Sequence, residues 1–107
     1  MVLFPDYMIT RKIIEDFIAT DQLMLNSTQK KMCVPIINRM FLLMKTGVHF
    51  PAIRIYDNLI IDGHHRYLAS RLCGYEISMV PSEKSSATVA TDWQSVVFEE
   101  VDWEAET

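Results

Sequence analysis

The chain has 107 residues and a mass of 12.4 kDa; half of its residues are hydrophobic, 22% are charged, and it holds three Gly and four Pro, as expected of one domain that can bury a core without a disulfide or metal. Ten Lys and Arg against fourteen Asp and Glu give a net charge of −4 and a pI near 5.2, which argues against a dedicated nucleic-acid binder with a basic face. Residues 1–6 carry no signal-peptide pattern, no apolar run approaches the roughly 18 residues of a membrane span, and Cys33 and Cys73 lack zinc-site spacing, so a cytoplasmic protein with free thiols, no zinc signature, no metal-ligating residues and no membrane contact is expected.

In chain order, Ile13, Ile14, Phe17 and Ile18 mark one face of a short helix over residues 11–18. Leu23, Met24 and Leu25 form an apolar triple read as a short strand. Asn26 followed by Gln29 has the spacing of a capping box, and Met32, Ile36, Met40, Leu43 and Met44 continue at helical spacing to Lys45 and Gly47. Pro35 lies inside that stretch, so the helix either kinks there or a second one begins at that residue. The methionines at apolar positions, Met24, Met32, Met40, Met44 and Met79, read as core filling.

Residues 52–56 alternate apolar and polar, Asp57-Asn58 supply a turn, and the apolar run resumes over residues 59–61, so residues 52–61 predict a hairpin. Asp62-Gly63 ends its second strand, and residues 64–72 predict a helix closed by Gly74. A strand over residues 77–80 stops at Pro81, residues 82–91 form a Ser/Ala/Thr-rich loop, and a last strand covers residues 95–101. The class is α+β, a small mixed sheet packed with helices.

Charge divides the chain. Residues 1–84 hold all ten bases and eight acids, a balance of +2, whereas residues 85–107 hold six acids and no base. The expected organisation is therefore a nearly neutral domain over residues 1–84 and an acidic extension over residues 85–107 that packs on the same domain. Trp93, Phe98 and Trp103 lie among the tail's carboxylates and are either core residues or anchors for a basic partner.

The most specific stretch is Asp62-Gly63-His64-His65-Arg66, an apolar strand running through Asp-Gly into a helix. First-turn N–H groups lack intrahelical acceptors, the helix dipole favours negative charge, and Gly63 lets a ligand approach the backbone. Arg66 adds a planar fork of donors, and His64 and His65 can donate or accept near neutral pH. A phosphate group suits this arrangement. Asp62 is either a helix cap or a chemical group, and successive residues point about 100° apart on a helix, so one histidine at most shares Arg66's ligand.

These residues, with Ala69, Gly74 and the following apolar strand, resemble the ParB/sulfiredoxin superfamily: partitioning-protein N-terminal domains, sulfiredoxin and free-serine kinases. The resemblance covers roughly residues 9–82 and implies a site for CTP or ATP with Mg²⁺, in which Gly63, His64, His65 and Arg66 surround the phosphates. The serine kinases have an Asp-Gly-His-Thr-Arg form, which Asp62, Gly63, His64 and Arg66 match while His65 replaces the Thr. His64 stands where sulfiredoxin has its nucleophilic Cys, so sulfinic acid reduction is not implied. Partitioning proteins have Gly-Glu-Arg-Arg, and 107 residues leave no room for their helix-turn-helix domain, so stable DNA binding is not expected.

The superfamily's upstream polar box falls near Thr20-Asp21-Gln22, without its usual Gln-x-Arg form, making Asp21 and Gln22 a candidate second box. Glu15 and Asp16 are candidates for the kinases' upstream base or simply a solvated helix face. The whole motif is most similar to stand-alone ParB-like domains of phages and polymorphic toxins. Three functions follow: a nucleotide-dependent phosphotransferase or NTP-hydrolysing switch with Asp62 and His64 as catalytic groups; a nuclease or phosphodiesterase with His64 as general base; or a non-catalytic interaction protein using its acidic aromatic tail.

Overall fold

A computed structural model describes residues 9–21 and 23–104. Helix α1, Arg11–Thr20, starts where the Thr10 hydroxyl accepts the Ile13 N–H at 3.2 Å, a side-chain N-cap. It buries Ile14 and Ile18, one turn apart on one face. Lys12 and Asp16 pair at 2.9 Å on the opposite, exposed face.

The stretch before α2 differs from the capping-box expectation. Residues 26–30 are irregular, strand β1 covers Lys31–Cys33, and helix α2, Val34–Lys45, begins immediately afterwards with Pro35 in its first turn. Pro35 thus opens the helix, where its missing N–H costs nothing. Asn26 and Ser27 instead make backbone bridges to distant segments: Asn26 N donates to Asn58 O at 2.7 Å, Ile60 N to Asn26 O at 3.0 Å, and Thr91 N to Ser27 O at 2.8 Å. The buried Ser27 hydroxyl closes a tight turn, accepting from Gln29 N at 2.9 Å and donating to Gln29 O at 2.8 Å. Residues 23–25 are not a strand. Leu25 is buried and its carbonyl accepts the Trp93 indole N–H at 2.8 Å, while Met24 points into solvent. Met32 and Met44 fill the core as expected, but Met79, like Met24, is exposed.

Strands β2, Ile53–Tyr56, and β3, Leu59–Asp62, form the expected antiparallel hairpin around Asp57, whose φ of +52° is the left-handed geometry of a tight hairpin turn. Helix α3, His64–Cys73, follows and ends at Gly74, also left-handed at φ +78°. Strand β4, Met79–Pro81, then returns parallel to β2, giving the order β3-β2-β4. It includes Pro81, tolerated because β4 is an edge. Helix α3 packs against α2 and β2, burying Tyr67, Leu68, Ala69 and Ser70.

The acidic extension contributes a 3-10 turn, Trp93–Ser95, and strand β5, Val97–Glu99, which pairs in parallel with β1 through Met32 and Phe98. Trp93, Val96 and Phe98 join the same core as α1, α2 and α3, and the Trp93 ring stacks on Tyr67 at 6.3 Å. The class is therefore α+β, with a mixed three-stranded sheet and a separate parallel pair among the described residues. None of their helices is long and apolar enough to cross a membrane.

Candidate functional site

The Asp62–Arg66 motif lies where β3 turns into α3. Gly63 makes the turn at φ +102°, and a Cβ there would stand 2.6 Å from Ile53 Cγ2 and 2.8 Å from Arg66 Nη2. The left-handed backbone and the close approach of Ile53 require glycine, and the Arg66 guanidinium lies over the same position. No side chain caps α3 at Gly63, and its first turn holds no acid. A cleft of about 440 Å³ at this helix start is lined by all five motif residues together with Thr28, Gln29, Met40 and Ile61.

Arg66 folds back along β2. Its side chain is 18% exposed, Nη2 donates to the Ala52 carbonyl at 3.1 Å, and the same nitrogen lies 3.5 Å from the largely exposed Asp62 carboxylate. Its Nε is buried with no hydrogen-bond partner among the described residues, a costly state for a charged donor.

The histidines are held differently from Arg66. His64 is 4% exposed, and its Nε2 accepts the Thr28 backbone N–H at 3.0 Å. The Thr28 hydroxyl, 3.2 Å from the same nitrogen, donates to the Ile60 carbonyl at 2.6 Å. Nε2 therefore carries a lone pair rather than a proton, and the ring is neutral with its hydrogen on Nδ1. His65 repeats the device one position on, its Nε2 accepting the Cys33 N–H at 2.9 Å. Burial pushes both imidazoles down to about 4; for His64 its neighbour His65 adds to the fall and Asp62 opposes it, and for His65 the Glu104 carboxylate opposes it. Each histidine satisfies a backbone donor of residues 28–33 and pins that segment to α3. With that lone pair engaged, His64 Nε2 cannot take a proton from a substrate.

No family model, curated protein or solved structure matches the chain.

Asp21 of the candidate upstream box does not line the cleft. Asp21 pairs with Arg71 Nη2 at 3.1 Å, two turns beyond the start of α3, and Gln22 lies outside the described residues. Glu15 and Asp16 sit on the exposed face of α1, paired with Arg11 at 3.7 Å and Lys12 at 2.9 Å. The polar rim opposite the motif comes instead from Thr28 and Gln29, residues that sequence spacing assigned to a helix start. Their signal was present as a run of four polar residues, 26–29, which suits a turn as well as a cap.

The donor set fits a phosphate: first-turn N–H groups that no side chain caps among the described residues, a glycine that admits close approach, and a guanidinium beside it. For Mg²⁺ the lining offers one carboxylate, Asp62. Among the described residues no three His, Cys, Asp or Glu side chains gather as a metal site.

Proposed function

We propose that the protein binds the phosphate group of a small anionic ligand at the N-terminus of α3, and that the ligand is a nucleoside triphosphate, as the motif's resemblance implies. The observation that carries this reading is the pairing of an uncapped helix start with Arg66, whose guanidinium lies against Gly63 in the lining of the same cleft. Backbone N–H groups of residues 64–66 and the Arg66 guanidinium hold the phosphate. Asp62, exposed at the rim, accepts a ligand hydroxyl or supplies one oxygen to a Mg²⁺ that arrives with the triphosphate, since Mg²⁺ at such sites keeps its waters and phosphate oxygens.

His64 and His65 frame the site rather than act on the ligand. Their lone pairs are engaged with Thr28 and Cys33, so the reading is a binding module or nucleotide switch before it is a nuclease with His64 as base. Calorimetric titration with ATP, CTP and inorganic phosphate, with and without Mg²⁺, tests it. Arg66→Ala is expected to weaken binding at least tenfold, the scale of one charge-assisted pair; absence of binding to all three ligands would overturn the proposal.

A further inference from the structure

We infer that residues 100–104 form an acidic strap that closes against the first turn of α3 and holds down the cleft's affinity for anions until it opens. The inference rests on the anion site proposed above. Beyond β5 the chain is gripped by side chains. Arg39, on α2, holds Asp102 through Nη1 at 2.7 Å and Nη2 at 3.0 Å, and Glu104 through Nη2 at 2.6 Å. The Cys33 thiol donates to the Val101 carbonyl and its sulfur accepts the Trp103 N–H, each at 3.4 Å. Trp103 lies edge-on against His65 with ring centroids 5.5 Å apart, while its indole N–H reaches Glu99 at 2.8 Å.

His65 and Cys33 connect this strap to the cleft. His65 lines the cleft, its Nε2 fixes Cys33 N, and the strap presses on both residues. Two carboxylates against one guanidinium leave a net negative charge beside a helix terminus that favours anions. Trp103, between Asp102 and Glu104 in sequence, places that charge next to His65 in the cleft wall, their rings 5.5 Å apart, and the Glu104 carboxylate opposes the effect of burial on that histidine. A phosphate entering the cleft therefore meets repulsion from the closed strap, and opening removes the repulsion. The outer half of the clasp is the half that can release, because Glu104 is largely solvent-facing and Arg39 and Trp103 are each 43% exposed, a setting where a single-contact ion pair such as Arg39–Glu104 is weak and screened by salt.

The test compares the full chain with Asp102→Asn/Glu104→Gln, reading acrylamide quenching of Trp103 and affinity for inorganic phosphate and Mg-ATP. Trp93 is buried, so added quenching reports Trp103, and Trp103→Phe serves as the control. The double variant is expected to quench more readily and to bind both ligands about three- to tenfold more tightly at low ionic strength, with the gap closing near 0.5 M salt. Glu104→Gln alone, which keeps the Asp102 pair, is expected to give a smaller gain. Equal affinity in two proteins that both bind phosphate would overturn the strap alone, as would unchanged quenching. Binding by neither protein would overturn the anion site and the strap with it.

Discussion

Thr28 donates its backbone N–H to His64 Nε2 at 3.0 Å, joining the irregular segment ahead of β1 to the first residue of α3. The bond requires a neutral imidazole. His65 and Cys33 N impose the same requirement beside it.

Acid should therefore undo this part of the fold. Both histidines sit near 4 in the folded protein against 6.5 when unperturbed, so between those values the unfolded chain binds more protons. Stability is full above about pH 6.5 and falls as pH drops toward 4, by up to about 3 kcal/mol for one such histidine. Urea unfolding at a series of pH values checks this; His64→Gln should lessen the slope, because an amide oxygen can accept the Thr28 N–H without titrating.

Gly63→Ala should destabilise the protein by about 1–3 kcal/mol, the usual scale for a side chain forced into a left-handed backbone conformation. The added methyl also meets the β-branched Ile53 at 2.6 Å and displaces Arg66 Nη2 at 2.8 Å. Thermal unfolding measures the first effect, and phosphate titration of the folded variant measures the second as weakened binding.

Asp62→Asn separates two uses of the rim carboxylate. Its ion pair with Arg66 is long, at 3.5 Å, and largely exposed on the Asp62 side, so stability should move by no more than about 0.5 kcal/mol. Phosphate without metal should bind more tightly once the negative charge is gone. Mg-ATP should bind more weakly if Asp62 contributes an oxygen to the cation. Parallel titrations with and without Mg²⁺ read both.

Truncation after Thr91 should abolish cooperative unfolding. It removes Trp93, Val96 and Phe98 from the core and deprives β1 of its partner strand. Loss of a large buried aromatic alone typically costs about 3–5 kcal/mol, comparable to the whole stability of a small domain. Circular dichroism during thermal denaturation should show a broad, non-cooperative loss of signal.

The helices at residues 11–18 and 64–72 and the hairpin over 52–61 were legible because their period, caps and turn residues are local properties. The stretch from 23 to 33 was not. Asn26 and Ser27 pair with Asn58, Ile60 and Thr91, and no local pattern announces a partner that far along the chain. The motif itself stood out through Gly63 and Arg66. The role of its histidines was hidden, because what each ring nitrogen accepts depends on Thr28 and Cys33 arriving opposite it. Trp93 and Phe98 showed both an apolar character and acidic neighbours; burial decides for the core.

The parallel pairing of Lys31–Cys33 with Val97–Glu99 also constrains how the molecule is made. A ribosome delivers the chain from its N-terminus, so β1 emerges long before the strand that completes it. Until β5 follows, Met32 has no Phe98 opposite it and the Leu25 carbonyl has no indole donor. Folding is thus deferred until nearly all of the described chain is available, and the nascent protein must tolerate an unpaired, apolar β1 in the meantime.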